Sequence, residues 1–383
     1  MNPAIAEAAA VHENSFVRRW KQEGKTVVGY TCSYVPEEML HAADILPFRL
    51  RGTGARETTV GDTYFGPYIC SLPKCVLQLA GEGAFGFLDG AVIVPGCDSM
   101  RRLDECWRKA GEDIAGIVPP FFFHLAVPHK YDGYTVSWFA GEITRLREAL
   151  EGHFRREISD EKISDSIKLY NEGRRLLERL DEMRVAPDAP LTGSEALTAV
   201  LAGTAMPRAD YNRLLAGFIE EKKNAGAGHA GRIRLMVVGS ACDDVGLLEL
   251  IEGDRALVVG DNLCFGSRFH RDLVDEDGDP VAALARRYLA RNECPRMYGG
   301  YRDRLGALAE TVRRANIEGV ILQNIRFCDL HGAENGLFER ALEAMGVPCL
   351  RLEREYGPLV ETGRLRMRLD ALLERINRKR EKP

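Results

Sequence analysis

The apolar positions of the chain change period along its length, and those changes mark out its elements. Phe16, Val17 and Trp20 share one helical face between Asn14 and Gly24, and the run from Lys25 to Tyr30 then reads as a short buried strand leading into Cys32. Pro36, Glu37 and Glu38 open a helix that continues through Met39, Leu40, Ala42 and Ala43 until Pro47 stops it. Proline's fixed φ and carboxylates at the positive end of the helix dipole both suit a first turn. A second strand is predicted over 45–50, a helix over 68–80, and a third strand over 90–95, just ahead of Cys97. That order is β-α-β, repeated.

From Tyr134 to Gly226 the pattern becomes helical. Helices are predicted over 138–154, over 158–183 with Ile163, Ile167, Tyr170 and Leu177 in register, over 194–202 and over 211–224, with no strong strand between them. The glycine-rich stretch from Ala225 to Gly231 reads as a hinge. Beyond it, strands are predicted over 235–239, 256–260, 319–322 and 348–352, separated by helices such as 281–292 and 305–316. Short apolar strands alternating with helices imply parallel sheets wound on both faces. The expected fold class is α/β, with two doubly wound parallel-sheet domains of Rossmann or flavodoxin type over 1–133 and 230–383 and a helical connecting segment over 134–229. The basic tail after Arg375 is expected to fray.

Composition narrows the function. A chain of 383 residues suits two domains better than one core. The balance of 52 basic against 57 acidic residues gives no nucleic-acid footprint. Met1 to Glu23 interleaves apolar residues with His, Glu, Arg and Lys, and lacks the continuous apolar core of a signal peptide or spanning helix. The expected location is therefore cytoplasmic, with no membrane partner. Ten cysteines change the picture most, because a reducing compartment disfavours structural disulfides. Metal or redox chemistry becomes the leading reading, although several of the ten are expected to be plain buried hydrophobes.

Position sorts these thiols. Ligands of open α/β sheets bind beyond the carboxyl ends of the strands, and Cys32, Cys97, Cys264 and Cys328 each follow a predicted strand. Cys70 and Cys75 lie near a predicted helix start, where free amides favour a thiolate or an anionic cluster. Cys106 within a helix and Cys349 within a strand read as structural. Cys242 is ambiguous and Cys294, beside Pro295, reads as a loop residue, so neither joins the ligand set. Zinc ribbons bring two close cysteine pairs together, whereas here only Cys70 and Cys75 are close in sequence. An iron–sulfur cluster held between domains tolerates such scatter. Spacing by itself leaves zinc and an iron–sulfur cluster both open.

Several motifs share one order along the chain. The stretch from Val28-Gly29-Tyr30-Thr31-Cys32 through Pro36-Glu37-Glu38-Met39 to Pro47-Phe48-Arg49-Leu50 comes first. Gly96-Cys97-Asp98, Phe123-His124-Leu125, Pro128-His129-Lys130, Asp261 to Arg268 around Cys264, Arg326-Phe327-Cys328-Asp329 with His331 and Glu334, Glu355-Tyr356 and Gly363 to Arg366 follow. Over nearly the whole chain they resemble the 2-hydroxyacyl-CoA dehydratase family, which includes benzoyl-CoA reductase subunits. The resemblance implies two α/β domains with a cubane cluster between them, fed one electron at a time by a separate ATP-hydrolysing iron–sulfur activator. Cys70, Cys97 and Cys328 match the family's usual ligands. Cys32, Cys75 and Cys264 go beyond that minimum and suit the related double-cubane cluster proteins, where two four-iron units share a bridging sulfide. The expected cofactor is thus an iron–sulfur cluster of [Fe8S9] double-cubane type, with [4Fe-4S] as the alternative.

Reducing a multiple bond needs protons as well as electrons, so Glu37 or Glu38, His124 and His331 are candidate catalytic residues. The plain alternative is that the glutamates complement a helix dipole and the histidines are structural. Three functional readings stand. One is a homodimeric double-cubane reductase of small unsaturated molecules. Another is one subunit of a heterodimeric acyl-CoA dehydratase or benzoyl-CoA reductase, paired with a paralogous subunit. The third is a non-catalytic electron carrier. The 225–231 stretch lacks the Lys-Ser/Thr of a P-loop and precedes a strand, so no nucleotide site is expected and ATP acts through the activator.

Overall fold

The computed structural model describes residues 1–226, 228–357, 359 and 362–381. Ala227 of the expected hinge and the last two residues of the basic tail lie outside the described residues. The first half runs α1 (Pro3–Ala10), α2 (Ser15–Gln22), β1 (Thr26–Tyr30), α3 (Glu37–Ala42), β2 (Ile45–Arg49), α4 (Thr59–Tyr64), α5 (Ser71–Gly81), β3 (Gly90–Ile93), α6 (Asp98–Asp113) and β4 (Phe121–His124). Four helices follow: α7 (Gly133–Phe154), α8 (Asp160–Val185), α9 (Gly193–Ala202) and α10 (Arg208–Ala225). The second half runs β5 (Ile233–Gly239), α11 (Val245–Glu252), β6 (Ala256–Asn262), α12 (Ser267–His270), α13 (Pro280–Leu289), α14 (Tyr301–Arg314), β7 (Gly319–Ile325), α15 (Asp329–Ala344), β8 (Cys349–Arg354) and α16 (Thr362–Arg380).

Each half builds a four-stranded sheet, all parallel, in the order β2-β1-β3-β4 and β6-β5-β7-β8. The expected α/β fold of two doubly wound parallel sheets is what the chain adopts. Every residue of β1 and of β7 is buried, as befits strands covered by helices on both faces. The chain leaves β1 to one side and returns past it to β3, and β5 and β7 repeat the move. That reversal opens a crevice above the carboxyl ends of β1 and β3, and another above β5 and β7.

Three local expectations differ from the structure. The helix α3 ends at Ala42, and Asp44 turns the chain at φ 55°, a left-handed conformation that aspartate tolerates. Pro47 instead lies within β2, where an edge strand accepts a residue without an N–H. The edge strand β4, whose residues alternate between buried and half-buried, has no counterpart in the pattern reading. The basic tail does not fray at Arg375: α16 continues to Arg380, which pairs through two nitrogens with Glu318 at 2.5 and 2.6 Å.

The four central helices brace both sheets. The long α8 packs on α3, α10 and β6, α9 packs on α1 and α11, and α7 packs on α13. Among the described residues, no helix is long and apolar enough to cross a membrane.

A polar clamp fastens the two halves. The Tyr356 hydroxyl donates to Asp243 at 2.6 Å and accepts the Gly52 N–H at 3.1 Å. Ser71, in the first turn of α5, donates to Glu355 at 2.7 Å and accepts the Tyr356 N–H at 2.8 Å. A side chain at Gly52 has no room: a Cβ there would meet the Cys75 Cβ at 2.5 Å and the Tyr356 ring at 2.7 Å. Gly239 plays a similar part at the end of β5, at φ 145° with its missing Cβ against the Gln323 carbonyl.

Candidate metal centre

The carboxyl edges of the two sheets face one cavity of about 130 Å³, roughly ten times the space one water needs. Six cysteines line it: Cys32, Cys70, Cys97, Cys264, Cys294 and Cys328, all free thiols.

Three of the six share one construction. Cys70, Cys97 and Cys328 are the N-cap residues of α5, α6 and α15, so three helix N-termini converge on the cavity. None closes a capping hydrogen bond, yet the amides of Leu72, Met100 and His331 favour their thiolate forms. Burial is the larger effect and pushes all three thiols up, Cys328 to about 12. The other three come from loops, Cys32 after β1, Cys264 after β6 and Cys294 after α13.

The thiols also act on one another. After burial, Cys97 is raised by Cys70, Cys328 and Cys32, and Cys264 by Cys32 and Cys294. Cys328 is raised by Cys70, Cys294 and Cys264. These couplings join all six thiols round one cavity, and their construction divides them into a helix-cap set, Cys70–Cys97–Cys328, and a loop set, Cys32–Cys264–Cys294.

An iron–sulfur group fits these residues on three grounds. Sulfur-only donors select soft metals and iron–sulfur clusters. Six thiols line a cavity far larger than one ion, so the sulfurs surround a volume and not a point. Finally, Arg49, Arg268 and Arg291 line the cavity with buried N–H groups that have no partner among the described residues. Such orphaned donors on buried cations are costly, and an anionic cluster offsets that cost.

The residues singled out from the sequence divide clearly. Cys32, Cys70, Cys97, Cys264 and Cys328 are together on the cavity wall. Cys75 is not among the lining residues. Its thiol donates to the Tyr356 carbonyl at 3.5 Å, its side chain packs against Gly52 in the clamp, and burial, then Asp243, pushes it to about 12. Cys294 takes the sixth place, and sequence reasoning missed it because it follows a helix and not a strand. The available signal was its position between Arg291 and Arg296, both of which also line the cavity. Cys242 is fully buried away from the cavity, while the thiols of Cys106 and Cys349 donate to the carbonyls of Tyr64 and Val347.

Of the acid–base candidates, His331 lies on the cavity wall, in the first turn of α15. Burial, then Arg268 and Arg304, hold it well below the usual histidine range, so its ring is neutral. Glu37 and Glu38 are buried outside the cavity lining in a network of their own. Glu37 accepts from Tyr30 at 2.9 Å and pairs with Arg208 at 3.3 Å, and burial raises its pKa despite that cation. Glu38 pairs with Arg174 and accepts from Tyr288 at 2.8 Å. Burial pushes it up, but Arg174 and Arg287 outweigh burial and leave it lowered. His124 ends β4, partly exposed, with Nδ1 3.5 Å from Asp104, and is not a cavity residue.

Curated relatives share this sequence along most of their length. A benzoyl-CoA reductase subunit of Thauera aromatica is 28% identical over 336 residues, covering 85% of this chain and 86% of its own. The (R)-phenyllactyl-CoA dehydratase beta subunit of Clostridium sporogenes is 23% identical, covering 88% and 89%. The beta subunit of (R)-2-hydroxyglutaryl-CoA dehydratase from Acidaminococcus fermentans is 24% identical, covering 90% and 92%. The family described as 2-hydroxyglutaryl-CoA dehydratase, D-component, matches residues 32–376. With a match that begins at Cys32 and spans seven of the eight strands and every thiol of the cavity, the chain belongs to that family of enzyme components.

Proposed function

We propose that the protein is an iron–sulfur reductase that performs low-potential reduction of a small unsaturated substrate, using a double-cubane [Fe8S9]-type cluster and electrons from an ATP-dependent activator. The observation that carries this reading is six thiols around one cavity, three on helix N-caps and three on loops. Cys70, Cys97 and Cys328 would hold one four-iron unit and Cys32, Cys264 and Cys294 the other. When bound, the cluster supplies single electrons at low potential.

The chain's own residues do the rest. The apolar wall, with Leu72, Val76, Met100, Phe265 and Leu330, keeps water out and the local dielectric low. His331 carries a proton on a neutral ring at the cavity surface and is positioned by α15 to deliver it to the bond being reduced, while Arg268 and Arg304 beside it stabilise the imidazolate that remains until solvent returns the proton. Glu37 and His124 serve the scaffold in this reading, through Arg208 and Asp104 respectively.

The subunit names of the relatives favour a second reading. In it, Cys70, Cys97 and Cys328 alone hold a [4Fe-4S] cluster, and the chain pairs with a paralogous partner to act on a CoA thioester. Reconstitution separates the two. The first reading expects an anaerobically purified homodimer, given activator and ATP, to reduce substrate without another subunit. A strict requirement for a paralogous chain would overturn it. ATP hydrolysis by the chain alone would contradict the division of labour with the activator.

A further inference from the structure

We propose that the two thiol sets lie in electrically unequal surroundings, so that the unit held by Cys32, Cys264 and Cys294 accepts an electron more readily than its neighbour. The inference rests on the two-unit reading above.

Buried guanidinium groups surround the Cys32–Cys264–Cys294 set. Arg49, at the end of β2, is only 3% exposed, and its Nε and Nη1 have no partner among the described residues. Its guanidinium lies 4.7 Å from the ring centre of Phe265, next to Cys264, and 5.4 Å from that of Tyr30. Arg268 bridges two of the thiol loops: four residues after Cys264, it donates to the Glu293 carbonyl beside Cys294 at 3.4 Å and to Gly239 at 2.8 Å. Arg291 donates to the Ser33 carbonyl, beside Cys32, at 2.7 Å. The Nε atoms of Arg268 and Arg291 are likewise buried without partners, and none of these three arginines is paired with a carboxylate among the described residues. A fourth cation, Arg296, sits between the sets with its donors committed to Gly96, Val127 and Pro128.

The Cys70–Cys97–Cys328 set has partial charges where its neighbour has whole ones. Each helix N-terminus presents about half a positive charge. Asp98 and Asp329, the first residues of α6 and α15, oppose that charge, and Glu355 lies near Cys70 through its bond to Ser71. A whole positive charge in a dry cavity stabilises an added electron far more than a helix end opposed by a carboxylate.

The test is an anaerobic titration with a one-electron chemical reductant, followed by electron paramagnetic resonance, with iron measured in every sample. Wild type should show two separate reduction steps. Arg49→Gln and Arg268→Gln should each lower the upper step and leave the lower one in place, at unchanged iron content, and Arg49→Lys should restore the upper step. Arg268→Gln carries the test if Arg49→Gln fails to fold. With about eight irons per chain retained, coincident steps in wild type, or steps that move together in the Gln variants, would overturn the inference and leave the two-unit reading standing. About four irons per chain in wild type would overturn both.

Discussion

Cys97 and Cys328 occupy the same place in the two halves of the molecule: each is the N-cap of the helix that follows the third strand of its sheet. Because both sheets wind in the same order, this one position carries a sulfur to the crevice from each side, and the edges meet over a shared cavity. Cys70 adds a third helix N-terminus from α5. Before Cys328 the chain passes through Phe327 at φ 64°, a conformation that costs a bulky residue about 1–2 kcal/mol. Strain of this kind persists where the surrounding structure fixes a functional loop.

The cavity sorts the thiols in a way that iron analysis reads directly. Cys97→Ser, Cys328→Ser and Cys294→Ser should each lose at least about half of the iron, the share of one unit of two. Cys75→Ser and Cys349→Ser should keep all of it, because those thiols face the clamp and the Val347 carbonyl just ahead of β8. Equal iron in all five variants would refute the assignment.

Replacing His331 tests the proton donor separately from the cluster. His331→Asn should lower turnover by about 10²–10⁴-fold, the usual range for a lost general acid. Iron content should stay unchanged, since no sulfur is removed. His124→Asn, at a residue outside the cavity, should leave turnover close to wild type. Equal losses in the two variants would remove His331 from this role.

The buried glutamates give stability opposite pH dependences. The folded pKa of Glu38 lies below its unfolded value, so its contribution is present above about pH 4.3 and is lost as pH falls through the folded value. Glu37 is raised, so its contribution is present below about pH 4.3 and is lost as pH rises through the folded value. Glu38→Gln should cost about 3–5 kcal/mol at neutral pH by stranding Arg174, and should shrink the acid-side loss. Denaturant titrations from pH 3 to pH 8 measure both. An unchanged acid slope in Glu38→Gln would contradict the assignment.

The clamp ties stability to cluster retention. Tyr356→Phe strands the Gly52 N–H and takes one donor from Asp243, which keeps Thr53, at a cost of about 1–3 kcal/mol. Gly52→Ala should be worse, because its Cβ meets carbon atoms on both sides. Both variants should unfold earlier and release iron faster, since Cys70 is held through Ser71 and the same loop. Lower stability with wild-type iron release would uncouple the clamp from the site.

Much of this arrangement was legible in the chain. Period-two and buried apolar runs located seven of the eight strands, and strand-end position found four of the six cavity thiols, Cys32, Cys97, Cys264 and Cys328. Helix-start position found Cys70 and also drew in Cys75, which the turn of α5 carries round to the clamp. Cys294 escaped because tertiary folding, and not local sequence, brings the loop after α13 across to the first sheet's edge, where Arg291 reaches the Ser33 carbonyl. The edge strand β4 escaped for a related reason: Phe121 to His124 becomes a strand by pairing with β3. The Arg49 guanidinium, whose Nε and Nη1 have no hydrogen-bond partner among the described residues, had no sequence signature, because that isolation is a property of the packed wall.

The most direct test of the central claim is iron and acid-labile sulfide per chain after anaerobic purification, with the oligomeric mass measured on the same sample. Two thiol sets each holding a four-iron unit predict about eight irons per chain in a homodimer. About four irons per chain, on a protein that assembles only with a paralogous partner, would contradict the account and assign the Cys32–Cys264–Cys294 set another role.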